Sequence, residues 1–170
     1  MEGKPAHACF KWQGVNAIEK GFKIVSGLKE LETRWLALRK NPYLPSPTIG
    51  LGEIHGGISA ATVPGTCQMR FDIKYLPYEI DEQGNKVLVK GEEIKKEVEN
   101  CIDRICKADE WLCKHPVRKN WYLSVMPHSL ETNHPIIEIA RGSSMEVIGR
   151  ARVSGLPSGV ITLWNLIMTS

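Results

Sequence analysis

From Gly14 to Lys40 apolar residues recur at spacings of three and four: Val15, Ile18, Phe22, Val25, Leu28, Leu31, Trp35 and Leu38. That is the period of an amphipathic helix. Asn41-Pro42 ends it, because the residue before a proline avoids the helical region. Gly21 and Gly27 weaken the helix, so packing must compensate. After the turn Pro45-Ser46-Pro47, Thr48 to His55 reads as a strand that stops at Gly56-Gly57, where a side chain would block the turn. Thr66 to Leu76 alternates strictly. Cys67, Met69, Phe71, Ile73 and Tyr75 share one face, and Gln68, Arg70, Asp72 and Lys74 the other, as in a half-buried antiparallel strand.

Glu79 to Lys86 is a polar loop, and a second helix is predicted from about Glu92 to Lys107 with Ile94, Val98, Cys101, Ile102 and Ile105 inward. Asp109 to Leu112 adds a turn, and Val117 to Val125 reads as a strand with Trp121 and Leu123 inward. The order is partial strand, helix, strand, strand, helix, strand. This predicts an α+β fold, the split βαβ arrangement of a ferredoxin-like two-layer sandwich: four antiparallel strands with two helices on one face. Beyond Pro127 the character changes. Asn133-His134-Pro135 opens a helix over about Ile136–Ser143, with proline at its first position, and Arg150–Val153 reads as a short strand. These pieces complete no sheet by themselves, so the tail reads as part of another domain.

Composition adds mainly exclusions. The 170 residues carry a net charge of +3, with 42% hydrophobic and 24% charged residues, ordinary for a soluble protein of one domain, or one domain plus part of a second. No basic cluster interleaved with aromatics points to nucleic acid. The apolar run from Val160 to Met168 is too short to span a membrane. Cys9, Cys67, Cys101, Cys106 and Cys113 form no metal-binding spacing; an odd count without a signal peptide implies reduced thiols in the cytoplasm. Cys67 and Cys101 read as small buried hydrophobes.

Three stretches taken together are informative. The first is Ala6-His7-Ala8 followed by Gly14-Val15-Asn16-Ala17-Ile18-Glu19-Lys20. The second is Gly56-Gly57, Val63-Pro64, Phe71-Asp72-Ile73-Lys74 and Pro77. The third is His134-Pro135 and Gly155-Leu156-Pro157-Ser158-Gly159. In order and spacing they resemble the family of acetylornithine deacetylase, succinyl-diaminopimelate desuccinylase and glutamate carboxypeptidase. The resemblance implies a lid, or dimerisation, domain over residues 1–127 with its first strand incomplete, and a fragment of the metal-binding catalytic domain over 128–170. It implies a parent enzyme that uses two zinc ions, bound by a catalytic domain absent from this chain, to hydrolyse an amide bond in a small peptide or N-acyl amino acid. No zinc ligand is assigned to this chain, and the chain alone is expected to be inactive. A homodimer through the lid is expected.

The same resemblance marks His7 as the candidate catalytic residue, a donor reaching the substrate carbonyl, usually across the dimer. Imidazole suits a donor aimed at developing oxyanion charge. Lys74 stands where the family often has a carboxylate-binding arginine; it keeps the charge but loses the two-pronged geometry. Ala61 stands where the family often has a substrate-contacting asparagine, so that contact is lost. Where the family continues with an Asp-containing segment, this sequence has Val160-Ile161-Thr162-Leu163, and the last ten residues depart from the pattern. Read from the residues themselves, Gly56 and Gly57 serve the backbone turn, Asn16 is a polar helix start, and Glu97, Glu99 and Asp103 are a solvated helix face. His115, His128 and His134 lack partners at metal spacing. The alternative reading is a stand-alone ferredoxin-like binding or assembly module without catalysis.

Overall fold

Two long helices lie against a four-stranded sheet, and the sequence pattern explains which face of each is hidden. The computed structural model describes residues 1–151 and 159–164. In chain order these are strand β1 (Ala6–His7), a 3-10 turn (Ala8–Gln13), helix α1 (Ala17–Leu38), strands β2 (Thr48–Gly56), β3 (Thr62–Val63) and β4 (Cys67–Tyr75), a small hairpin of β5 (Tyr78–Ile80) and β6 (Lys86–Leu88), helices α2 (Gly91–Ala108) and α3 (Glu110–Lys114), strand β7 (Asn120–Val125), helix α4 (Pro135–Ile148) and strand β8 (Gly159–Trp164). The main sheet has the order β2-β4-β8-β7, with every neighbouring pair antiparallel. The fold is thus mixed, with helices packed on an antiparallel sheet.

The strict alternation of β4 sends Cys67, Met69, Phe71, Ile73 and Tyr75 into the core and leaves Gln68, Arg70, Asp72 and Lys74 half-covered on the other face. In α1 the buried stripe is Ala17, Gly21, Ile24, Leu28, Leu31 and Trp35, at spacings of four and three. It is rotated slightly from the expected one: Phe22 and Leu38 are exposed and Val25 only partly covered. The glycines explain the rotation. A Cβ on Gly27 would sit 2.3 Å from Ile105 Cδ1 of the second helix, and one on Gly21 3.2 Å from Cys67 Sγ of β4. Residues that weaken an isolated helix here let α1 approach α2 and the sheet closely.

The largest departure from the sequence reading is in the tail. Residues 159–164, expected outside the sheet, form β8 between β4 and β7, pairing Arg70–Tyr75 on one side and Asn120–Val125 on the other. Ile161 and Leu163 are fully buried in the core shared with α1, α2 and β4. The alternation Ile161/Leu163 is that of a half-buried strand, but without a long-range partner the same run also fits a generic apolar tail. The predicted inward pair of β7 also changes. Trp121 packs on the core, but the register with β8 shifts between Trp121 and Leu123, leaving Leu123 exposed. A bulge turns the alternation over, which periodicity alone does not reveal. The strand predicted at Arg150–Val153 does not include Arg150 or Ala151, and Arg152 and Val153 lie outside the described residues. Helix α4 forms where expected and buries none of its residues.

Candidate functional site

The N-terminal segment is pinned to the start of β4 and to α1, and this carries His7 to the surface. Glu2 bridges Thr66, Lys4 bridges Val15, and β1 pairs with β3 through Ala6–Val63 and His7–Thr62. The Ala8 N–H donates to Ala61 O at 2.8 Å and the Ala17 N–H to Pro64 O at 2.9 Å. Asn16 caps α1: its Oδ1 accepts from the N–H groups of Ile18 (2.9 Å) and Glu19 (3.2 Å). Gly57 has φ of +76°, a conformation in which L side chains are strained, and Gly56 ends β2 opposite Cys67. That turn brings residues 59–64 alongside the 3-10 turn.

His7 is exposed, and its Nδ1 accepts the Cys9 N–H at 3.2 Å. An Nδ1 that accepts places the neutral ring's proton on Nε2. With Nδ1 engaged by Cys9, Nε2 is the ring nitrogen left to donate from this exposed side chain. Phe10 lies 6.4 Å from the imidazole centroid to centroid, and Trp12 meets Phe10 edge-on at 5.6 Å. Beside this corner runs a cleft of about 650 Å³ whose walls include Ala8, Lys11, Trp12, Ser59, Thr62 and Val63.

Behind the cleft sits a group that the sequence reading missed. Asp109, only 5% exposed, accepts from Lys20 Nζ at 2.9 and 2.8 Å, from Lys23 Nζ at 2.6 Å, and from the N–H groups of Trp111 and Leu112, both at 3.0 Å. Burial acts to raise its pKa, but the two ammonium groups and the Leu112 N–H outweigh it and hold the carboxyl well below the usual carboxylate range. The sequence marked Asp109 to Leu112 only as a turn; the lysines 86 and 89 residues earlier were not legible as its partners.

Lys74 lies elsewhere. Its Nζ is 3.0 Å from Asp72 Oδ2 on the outer face of β4. The strand starts beside the His7 corner, and Lys74 stands seven residues along it, about 23 Å at roughly 3.3 Å per residue. His7 and Lys74 are not brought together within one chain. Ala61 lies in the cleft-side loop, its N–H on Ser59 Oγ at 3.2 Å. Of the solvated helix face, Glu97 accepts from Trp35 Nε1 at 2.9 Å and pairs with Arg39, and Glu99 accepts from Trp121 Nε1 at 2.7 Å, so these carboxylates tie the layers together. His115 stacks on Trp111 at 4.0 Å, and His134 caps α4. The cysteines are all free, with Cys67, Cys101 and Cys106 buried; burial pushes the Cys67 and Cys106 thiols up. Among the described residues no group of three or more His, Cys, Asp or Glu could hold a metal ion, and no helix is long and apolar enough to cross a membrane.

Comparison with known proteins gives the family of the domain. Residues 1–110 match the family model of the peptidase dimerisation domain. The chain is 34% identical over 110 residues to N-formyl-4-amino-5-aminomethyl-2-methylpyrimidine deformylase of Halalkalibacterium halodurans, covering 64% of this chain and 23% of that protein. It is 38% identical over 79 residues to acetylornithine deacetylase of Vibrio vulnificus, covering 45% of this chain and 21% of the relative. The chain thus spans less than a quarter of the length of these curated relatives. A solved tripeptidase from Staphylococcus aureus shares the fold with a TM-score of 0.50 at 19% identity, over 93% of this chain and 35% of the tripeptidase. With more than half of its length matched by the family model, this chain belongs to the peptidase dimerisation domain family, alongside domains of hydrolytic peptidases and deacylases.

Proposed function

We propose that this chain is the lid and dimer-contact portion of a zinc-dependent hydrolase of amide bonds, acting on a small peptide or N-acyl amino acid, and that His7 is its contribution to the reaction. The observation that carries the proposal is the His7–Cys9 contact: with Nδ1 accepting the Cys9 N–H, the exposed imidazole keeps Nε2 to donate to a carbonyl oxygen. A donor of this kind binds the oxygen more tightly as it gains negative charge, which lowers the barrier to attack. Among the described residues no cluster of His, Cys, Asp or Glu would hold zinc; a metal bound by the catalytic domain of such an enzyme would activate the attacking water. The lid by itself is expected to hydrolyse nothing.

The cross-protomer arrangement accommodates the separation of His7 from Lys74. A small substrate cannot touch both in one chain, so each would serve a different site of a dimer. Strand β2 is an edge strand whose outer flank is free among the described residues, and Leu51 and Ile54 on it are exposed. Pairing such an edge with a second copy would cover it.

The test is made in the full-length enzyme. His7→Ala should lower kcat by roughly a hundredfold or more, the usual cost of losing one oxyanion donor, with fold and zinc content unchanged. Mixing His7→Ala subunits with subunits lacking the catalytic glutamate should restore activity in heterodimers. Full kcat in His7→Ala, or no recovery in mixed dimers, would show that His7 does not act across the interface.

A further inference from the structure

Strand β8 lies between β4 and β7 rather than at an edge of the sheet, although it comes after both in the chain. It is paired on both flanks, and Ile161 and Leu163 are fully buried in the core. Nearer the start of β4, on the flank away from β2, Met1 stands beside Cys67. It donates to Cys67 O at 2.9 Å and accepts from the Cys67 N–H at 3.1 Å. The space beside β4 is thus filled by two separate pieces of chain.

What joins β8 to the rest adds no core packing of its own. The connection from β7 runs through residues 126–158; none of 126–151 is buried, and α4 within it buries nothing. Its ion pair to the β5–β6 hairpin, Glu131 with Lys86 at 2.8 Å, is exposed. The two ends of the connection lie side by side, since Val125 pairs with Val160. The seat of β8 therefore consists of backbone pairing with β4 and β7 and of its inward face. That face has a definite pattern. A Cβ on Gly159 would lie 2.7 Å from Tyr75 Cε1, and the Tyr75 hydroxyl donates to Val125 O at 3.2 Å. The ring spans the gap from β4 to β7 and leaves room only for glycine beneath it. Two and four residues on, Ile161 and Leu163 fill the core.

We propose that the gap between β4 and β7 is a strand-acceptor site. Its ligand is an extended polypeptide segment with glycine followed, two and four residues on, by branched aliphatic side chains. Its occupant in trans is the 159–164 segment of a second copy of this chain. The same main-chain bonds and the same pockets serve either copy. Concentration decides which one is seated: the chain's own segment is held at an effective concentration of about a millimolar, set by the connection. The inference is independent of the hydrolase reading, because it concerns the sheet and not the His7 corner.

The test uses the full chain, isotopically labelled, and an unlabelled peptide of residues 159–164 flanked by lysines, followed by two-dimensional NMR. At about 1 mM peptide, roughly half of the Ile161 and Leu163 amide intensity should move to unstructured positions. Phe71, Ile73 and Tyr75 should keep the positions of a paired strand, because the peptide replaces what the chain's own segment gives up. The peptide carrying Ile161→Asp puts a charge in the core, and the one carrying Gly159→Val meets the Tyr75 ring; each should need at least about tenfold more. Replacing residues 127–158 by Asn-Gly makes β7 and β8 a tight hairpin. It should raise the peptide required by at least about tenfold, because the shorter loop costs less entropy to close. No release at about 5 mM peptide overturns the proposal. So does release in which Phe71, Ile73 and Tyr75 lose their strand positions too, or release produced equally by the three peptides. Equal release from the tight-hairpin chain means that peptide and tethered segment do not compete for one seat, and overturns it as well. If that chain fails to fold, the comparison of the three peptides still decides.

Discussion

The α1–α2–β4 core and the His7 corner both draw on aromatic, aliphatic and lysine side chains, and they use them oppositely. In the core, Trp35, Phe71 and Tyr75 are at most 2% exposed, and Lys20 and Lys23 are spent on Asp109. At the corner, Phe10 and Trp12 are more than half exposed, and Lys11 has no acidic partner among the described residues. Rings and charges in the first region meet each other and stabilise the fold. In the second they are held by backbone pairing of β1 with β3 and left free to meet something else. Stability and recognition are thus separable by position, and substitutions should sort accordingly.

The largest expected stability effect is in the core. Phe71→Ala removes a ring 2% exposed from the centre of β4 and should destabilise the domain by about 4 kcal/mol. Ile161→Ala should cost about 3 kcal/mol if β8 is as integral to the sheet as its complete burial implies. Denaturant melts of the two variants measure both figures. An Ile161→Ala cost near zero would mean that β8 is not part of the sheet in solution, and the comparison would have to be redrawn with the tail outside the core.

Asp109 comes next. Removing its charge strands Lys20, whose side chain is 21% exposed, and takes away the cap of α3; Asp109→Ala should cost about 3 kcal/mol at neutral pH. The pH dependence has a definite sign. The carboxyl titrates lower in the folded chain than in the unfolded one, so on acidification the unfolded state takes up the proton first. Its contribution is complete above the ordinary carboxylate pKa of about 4 and is lost progressively as pH falls below that value. The gap in stability between wild type and Asp109→Asn should therefore be constant from about pH 7 to about pH 5 and shrink toward about pH 2. A gap that widens on acidification would contradict the pairing.

How much of this was legible beforehand follows from the range over which each signal acts. The face of β4 was legible because a two-residue alternation is written in nine consecutive residues. The boundaries of α1 and α2 were legible within a few residues because helical spacing and Asn41-Pro42 are local. The family was legible from the motifs around His7, Gly56-Gly57 and Val63-Pro64, and the family match agrees with that recognition. What was hidden depends on distant partners. Gly27 reads as a defect until Ile105 is known to pack on it. Asp109 reads as the start of a turn until Lys20 and Lys23 arrive. Residues 160–163 read as a departure from pattern until β4 and β7 flank them. At the corner, the 73% exposure of Trp12 is hidden for the same reason, since it depends on which distant residues do or do not cover the ring.

The smallest expected effect sharpens the comparison most. Trp12→Ala deletes the larger of the two rings at the corner, a change that in a core costs several kcal/mol. Here the indole is 73% exposed, its ring contact among the described residues is the edge-on meeting with Phe10, and neither ring belongs to the core cluster. Little apolar area returns to water when it is removed, and no buried polar partner is stranded. The expected change in unfolding free energy is within about 0.5 kcal/mol, the range for surface substitutions away from special features. An aryl pair adds about 0.5–1.5 kcal/mol beyond its buried area, and an exposed one falls at the low end. A measured loss of about 2 kcal/mol or more, well outside that surface range, would mean that Trp12 is covered in solution, by its own chain or by a second copy. Repeating the melt across a roughly tenfold range of protein concentration separates these two, because only cover from a second copy makes the loss depend on concentration.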